Sequence, residues 1–316
     1  MRHILLSGTS NPPLAQHISR ELADRYSTGN IEVRRFSDGE IRVELHENVR
    51  GTTAYIIQST QAPANDTLME LALIADALKR ASADKVVAVV PYFGYARQDR
   101  KPGYSRVPIS ARVVADILEG AGVDHVVTVD LHATQIQGFF KIPVDNLTAS
   151  NLFANDIRTK WLDQNPIIVS PDVGGVARAR SVAERLPNVE LAIVDKRRPM
   201  ANVSEVMNIV GDITDKTCII VDDMVDTAGT LCSAASALLE RGARQVVAYA
   251  SHGVLSGLAH SRLDRSVLQE LVITDSILQR GEIQSKKVRY LPLATMISDT
   301  IRRVAMHDSV SSLMTT

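Results

Sequence analysis

The strongest constraint on the fold is a set of short apolar runs that do not alternate. Val86-Val87-Ala88-Val89-Val90, Val126-Val127-Thr128-Val129, Ile167-Ile168-Val169, Cys218-Ile219-Ile220-Val221 and Val246-Val247-Ala248-Tyr249-Ala250 are each bounded by polar or turn residues. A strand with one face in water alternates apolar with polar, whereas a strand covered on both faces need not. Between these runs lie segments of helical spacing. Leu68, Leu71, Ala72, Ala75 and Leu78 share one face of residues 66–81, with Asn65 or Asp66 expected as cap. Residues 110–119 end at Gly120, and Leu231, Ala234, Ala235, Leu238 and Leu239 precede a stop at Gly242. Helices alternating with doubly covered strands specify an α/β fold of mainly parallel sheets flanked by helices.

A chain of 316 residues is long for one core and suggests two domains. A faint internal duplication supports this. Val90-Pro91-Tyr92-Phe93-Gly94-Tyr95-Ala96-Arg97 echoes Ser170-Pro171-Asp172-Val173-Gly174-Gly175-Val176-Ala177-Arg178, and Val127-Thr128-Val129-Asp130-Leu131-His132 echoes Ile219-Ile220-Val221-Asp222-Asp223-Met224. Two similar halves, 1–147 and 148–316, explain both pairs. No apolar run approaches the ~20 residues of a membrane span, and residues 1–8 read as a first strand rather than a leader. A net charge of −1 gives no electrostatic case for nucleic acid. Cys218 and Cys232 fall in a strand and a helix and read as buried thiols, which fits a cytoplasmic protein. Near the N-terminus, residues 14–26 read as an amphipathic helix. Residues 31–36 and 41–45 alternate around Ser37-Asp38-Gly39-Glu40, a hairpin signal, and 54–58 as a further strand.

The chemistry concentrates where apolar runs end. Asp222-Asp223-Met224-Val225-Asp226-Thr227-Ala228-Gly229-Thr230 follows one run and leads into a helix. Strand, tight loop and helix N-terminus form a ready anion site, and Thr227 and Thr230 add hydroxyl donors. Gly229 lets a ligand approach the backbone, and the paired carboxylates suit a polyhydroxylated or metal-bound group. Residues 91–108, with Arg97, Gln98, Arg100, Lys101 and Arg106, suit a mobile loop over phosphates or a solvated basic loop. His132, after Asp130, reads as a structural histidine or a metal ligand. Asp172 reads as a hard-cation ligand or a helix cap. Asp195-Lys196-Arg197-Arg198 places three cations at the end of a buried strand, where they would neutralise phosphoryl charge. Neither a Gly-x-x-x-x-Gly-Lys-Ser/Thr loop nor a Gly-x-Gly-x-x-Gly fingerprint occurs.

Asp222 to Thr230 resembles the phosphoribosyl-pyrophosphate (PRPP) motif of phosphoribosyltransferases. Taken with Phe36-Ser37-Asp38-Gly39-Glu40, Tyr95-Ala96-Arg97-Gln98-Asp99-Arg100, Asp130-Leu131-His132, the Ser170 to Gly175 run and Asp195-Lys196-Arg197-Arg198, the chain resembles the ribose-phosphate pyrophosphokinase (PRPP synthetase) family. That resemblance implies two phosphoribosyltransferase-like domains and transfer of the β,γ-pyrophosphoryl group of ATP to ribose 5-phosphate, giving PRPP and AMP for nucleotide biosynthesis. It implies that Asp226, Thr227, Ala228, Gly229 and Thr230 wrap the 5-phosphate, with Asp222 and Asp223 near the ribose hydroxyls. Phe36, Asp38, Gly39 and Glu40 would bind ATP from a neighbouring subunit, and Arg97, Gln98 and His132 would also contact it. His132 and Asp172 would hold Mg²⁺. Lys196 and Arg198 would stabilise the transition state, Arg198 contacting ribose 5-phosphate as well. A homohexamer activated by inorganic phosphate and inhibited by ADP is implied too.

Two positions depart from the family pattern. Lys101-Pro102-Gly103-Tyr104-Ser105-Arg106 is a variable loop, and Ala228 stands where many members have Gly; a methyl group there is expected to be tolerated if φ stays negative. Rival readings are a PRPP-consuming phosphoribosyltransferase, which would not need the Arg97-Gln98 loop, and a non-catalytic regulatory homologue, which would have lost His132, Asp172, Lys196 or Arg198.

Overall fold

The structure, a computed structural model, describes residues 2–197, 206–279, 281 and 284–315. Two compact units are present. One comprises residues 1–148, 276–278 and 292–316, and the other residues 149–275 and 279–291.

The first unit is built on β1 (His3–Ser7), β2 (Ser27–Thr28), β5 (Thr53–Ile57), β6 (Lys85–Val90), β7 (His125–Val129) and β8 (Val144–Leu147), in the order β2-β1-β5-β6-β7-β8 with every pair parallel. Helices α1 (Pro12–Glu21), α2 (Ala64–Arg80) and α3 (Ser110–Gly120) lie between strands in sequence. Both faces of the central strands are buried, which is why Val86 to Val90 shows no alternation: Val86, Ala88 and Val90 join the core beneath α2 and α3, while Val87 and Val89 are equally buried on the opposite side. The expected hairpin forms as β3 (Ile31–Arg35) and β4 (Ile41–Leu45), an antiparallel pair separate from the main sheet. Its alternation has the ordinary cause, since Ile31, Val33, Val43 and Leu45 pack on the core and the intervening residues face outward.

Two helix expectations change. The α1 helix stops at Glu21 rather than running through residue 26, after a start capped by Asn11, whose Oδ1 accepts from the Leu14 amide at 3.3 Å. Helix α2 begins after Pro63 without a side-chain cap, because Asn65 accepts from the Tyr95 hydroxyl and Asp66 pairs with Arg35 at 2.7 Å. The chain's last long helix, α8 (Ala294–Met306), belongs to this first unit: it packs on α1, and Tyr26 Oη donates to the Ile301 carbonyl.

The second unit carries β9 (Pro166–Ser170), β10 (Glu190–Arg197), β11 (Val206–Val210), β12 (Thr217–Val225), β13 (Gln245–Gly253), β14 (Leu271–Thr274) and β15 (Val288–Leu291). Their order is β11-β10-β9-β12-β13-β14-β15, and only the β10–β11 pair is antiparallel. Helices α4 (Ser150–Lys160) and α5 (Val176–Ala183) cover one face, burying Ile219, Val221, Val247 and Tyr249. Helices α6 (Gly229–Glu240) and α7 (Ala259–Arg265) cover the other, burying Cys218, Ile220, Val246 and Ala248. Successive residues of one strand thus enter two cores, the physical basis of the unbroken apolar runs. Among the described residues, no helix is long and apolar enough to cross a membrane.

Strand order also locates the ligand side. Connections leave β9 for β10 on one side and reach β12 on the other, so a topological switch lies between β9 and β12, at whose carboxyl ends open parallel sheets bind ligands. In the first unit the corresponding switch lies between β1 and β5. There the segment that follows β5 is tied to residues 276–278 of the same unit: Ser59 Oγ donates to the Ser276 carbonyl at 2.6 Å, and Gln61 exchanges hydrogen bonds with Leu278 at 3.2 and 2.9 Å.

Candidate active site

The acid pair stands on a strand, not in a loop. Expected to end at Val221, β12 continues to Val225 because β13 extends alongside it, pairing Asp222 with Ala250 and Met224 with His252. Asp223 is buried, its side chain only 7 % exposed, whereas that of Asp222 keeps 30 %. The Asp223 amide donates to Asp222 Oδ1 at 2.8 Å. Burial, and next to it the Asp223 carboxylate, push the Asp222 carboxyl up to about 7, against the opposing pull of Arg178. Arg178, from α5, sets one guanidinium nitrogen 3.4 Å from Asp223 and 3.8 Å from Asp222.

Residues 226–230 then turn into α6. Ala228 adopts φ +60°, in the left-handed region, so the negative φ on which its methyl group was expected to rest is not what forms. The methyl is nevertheless useful, buried with Val225, Leu231 and Leu255. Opening α6, Gly229 would meet only ordinary contacts at 3.8 and 4.0 Å if it carried a Cβ, so the protein's own packing does not demand glycine there. The loop is braced from outside. Ser256 donates its side chain to Asp226 and its amide to the Asp226 carbonyl, and Arg262 donates to the Thr227 carbonyl at 2.8 Å. Thr227 and Thr230 are exposed at the mouth, beside the first amides of α6, which have no intrahelical acceptor.

Across the switch, Asp172 follows β9, the strand adjacent to β12. Its Oδ1 accepts from the Gly175 amide at 2.8 Å and tightens the turn before α5, but the helix's N-cap is Gly175 with no side-chain cap bond, so the helix-cap reading does not hold. The side chain is exposed, and its second oxygen faces no described hydrogen-bond donor, which leaves it able to meet a hard cation. Lys196 lies within β10, on the other side of β9; the strand is longer than expected and includes Asp195 to Arg197. The Lys196 side chain and the whole of Arg198 lie outside the described residues.

In the first unit, Arg97 and Gln98 follow β6 and His132 follows β7, its parallel neighbour; all three are exposed. The paired sequence echoes do not occupy equivalent places: Arg97 and His132 follow β6 and β7, which lie to one side of the first unit's switch, whereas their counterparts follow β9 and β12, which flank the switch of the second. Gln135, just past His132, donates to buried Asp99 at 2.5 Å and ties the two segments together. The hairpin tip presents Phe36, 53 % exposed, with Asp38, Gly39 and Glu40. Asp38 accepts from the Glu40 amide at 3.1 Å, Gly39 takes φ +95°, and Arg35 clamps the Gly39 carbonyl at 2.8 Å.

Four supporting residues escape a reading of motifs: Arg178, Arg262, Ser256 and Gln135. Arg178 had one signal, its helical position close behind Asp172; the others act through tertiary contacts with no local pattern. Cys232 also differs from expectation. It is half-buried beside the Arg262 carbonyl rather than enclosed, while Cys218 is buried and its thiol is pushed up to about 12 by desolvation.

Comparison with known proteins adds a specific likeness. A family model described as the N-terminal domain of ribose phosphate pyrophosphokinase matches residues 3–122, and one described as a phosphoribosyl synthetase-associated domain matches residues 193–315. The ribose-phosphate pyrophosphokinases of Haemophilus ducreyi and Vibrio parahaemolyticus are 56 % and 53 % identical over 310 residues, 98 % of each chain. The crystal structure of phosphoribosylpyrophosphate synthetase from Mycobacterium smegmatis aligns with a TM-score of 0.91 at 40 % identity, over 97 % of this chain and 100 % of that one.

Proposed function

The chain belongs to the ribose-phosphate pyrophosphokinase family, and from that premise we propose how its residues divide the work of making PRPP and AMP from ATP and ribose 5-phosphate. The observation that carries the reading is the juxtaposition at the β9–β12 switch of a braced anion loop, residues 226–230, with an acid pair on the same strand. Residues 226–230 hold the 5-phosphate on backbone amides and the Thr227 and Thr230 hydroxyls. Asp222 and Asp223 accept from the ribose hydroxyls, with Asp222, the more exposed, nearer the sugar.

ATP belongs to Arg97, Gln98 and His132 and to a hairpin tip from a neighbouring subunit. The exposure of Phe36 supports that last assignment, because an aromatic ring in water at a clamped turn is poised to cover a base. A homohexamer in the cytoplasm, with inorganic phosphate and ADP as effectors and residues 97–108 closing over ATP, completes the reading. Each of the two units is phosphoribosyltransferase-like, with the boundary near residue 148 and residues 276–278 and 292–316 returning to the first.

His132 and Asp172 each present a donor suited to Mg²⁺, an imidazole and a carboxylate oxygen, and such an ion neutralises polyphosphate charge when bound. The anomeric hydroxyl of ribose 5-phosphate attacks the β-phosphorus of ATP, the bond from that phosphorus to the α,β-bridging oxygen breaks, and AMP departs. Positioning and cations suffice, so no covalent nucleophile is required. Lys196 and Arg198 supply positive charge as it builds on the transferring oxygens.

Lys196→Ala tests the assignment. Turnover should fall by orders of magnitude with the elution volume of the oligomer unchanged; a near-normal rate would remove Lys196 from this role.

A further inference from the structure

We propose that Arg178 is a positioning residue for the sugar, offsetting the paired charge of Asp222 and Asp223 and fixing their orientation toward the ribose hydroxyls. This rests on the ribose 5-phosphate reading above. A single guanidinium nitrogen lies 3.4 Å from Asp223 Oδ1 and 3.8 Å from Asp222 Oδ1, so one cation serves both carboxylates. The Arg178 side chain is itself only 18 % exposed and is therefore not a freely swinging surface group.

The fold explains how it arrives there. Helix α5 sets Ala179, Val182 and Ala183 into the core against Ile219 and Val221 of β12. Arg178, next to Ala179, is carried to the carboxyl end of that strand, where the acids stand. Chemistry supplies the need. Two adjacent carboxylates, one of them buried, tend to share a proton. A shared proton takes up acceptor capacity, whereas two ionised carboxylates can both accept from the sugar hydroxyls. The substrate's phosphate also docks a few residues further along the chain, and an uncompensated acid pair would repel it. Arg262 does not fill this place, since its guanidinium is engaged with the Thr227 carbonyl.

A clamp that merely fastened α5 to β12 would affect both substrates or neither. A positioning role affects one. In Arg178→Gln the KM for ribose 5-phosphate should rise about tenfold or more, with the KM for ATP and kcat within about twofold of wild type. Adding Asp222→Asn should worsen that variant far less than it worsens the wild type, the mark of residues acting as a unit. Equal effects on both KM values, no effect on either, or full additivity overturn the proposal. If Arg178→Gln does not fold, Arg178→Lys carries the test. Its shorter, non-planar head keeps the charge and loses the shared contact, so a rise of about threefold confined to ribose 5-phosphate supports the proposal and the lack of a selective rise overturns it. A wild-type protein that formed no PRPP would instead refute the ribose 5-phosphate reading itself.

Discussion

Gln135 Nε2 donates to Asp99 Oδ2 at 2.5 Å across 36 residues of sequence, joining the connection that carries Arg97 and Gln98 to the turn that follows His132. Asp99 is buried, so the bond satisfies a carboxylate that water barely reaches. Replacing Gln135 with Leu leaves that carboxylate short of a donor. The expected loss in stability is about 1.5–3 kcal/mol, and the KM for ATP should rise severalfold with that for ribose 5-phosphate unchanged. Urea unfolding and steady-state kinetics on both substrates check the two halves of this expectation.

Arg289 is a staple at the opposite, amino-terminal end of the second sheet. Its guanidinium donates to Asp156 at 3.0 and 2.6 Å and to Glu270 at 2.7 Å, and Tyr249 adds its hydroxyl to Asp156 at 2.6 Å. Burial alone would raise the Asp156 carboxyl; the bonds from Arg289 and Tyr249 outweigh it and hold the group below the usual carboxylate range. Arg289→Met should destabilise the protein by about 2–4 kcal/mol at neutral pH, less than a fully buried pair because some solvent reaches the group. A depressed carboxylate contributes its stability above its unfolded-state value and loses it as pH falls through the folded one. The gap between wild type and Arg289→Met should therefore narrow below about pH 4, which denaturant titrations across pH will show.

Asp222 has the opposite sign. Its folded-state value is raised to about 7, so the folded protein favours the protonated form and stability declines as pH climbs from the ordinary carboxylate range through 7. Asp222→Asn removes this penalty. The variant should be more thermostable than wild type at pH 8 and equal to it near pH 4, while losing on the order of 10- to 100-fold in kcat/KM for ribose 5-phosphate through one charge-assisted hydrogen bond. In the wild type, the KM for ribose 5-phosphate should improve as pH rises through 7.

At Ala228 two effects oppose each other. Left-handed backbone costs a non-glycine residue about 1 kcal/mol, while the buried methyl contributes about 0.8 kcal/mol and lowers the entropy of the unfolded chain relative to glycine. Ala228→Gly should thus be near neutral or slightly destabilising in calorimetry. Ala228→Val places a β-branched side chain at φ +60° and should destabilise clearly, with weaker ribose 5-phosphate binding. Equal melting temperatures for the two variants would contradict this balance.

The sequence made the sheets legible because each buried strand writes its burial into consecutive apolar residues, as Cys218 to Val221 does by feeding two cores in turn. The turn into α6 was legible for a similar reason: residues 226–230 are contiguous and lead straight into the helix they open. What stayed hidden depends on tertiary contact. The extension of β12 across Asp222 and Asp223 follows from its pairing with β13, and the start of α2 follows from the partners that Asn65 and Asp66 find elsewhere. Likewise, nothing near Arg262 in the chain announces that it braces Thr227, 35 residues away.

The central claim concerns which phosphorus is attacked. The protein, with Mg²⁺, ATP and ribose 5-phosphate, should be followed by phosphorus NMR as the nucleotide is consumed. Attack at the β-phosphorus predicts AMP and PRPP appearing in equal amounts, and no consumption of ATP when ribose 5-phosphate is withheld. ADP as the main nucleotide product, or ATP left intact with both substrates present, would contradict it.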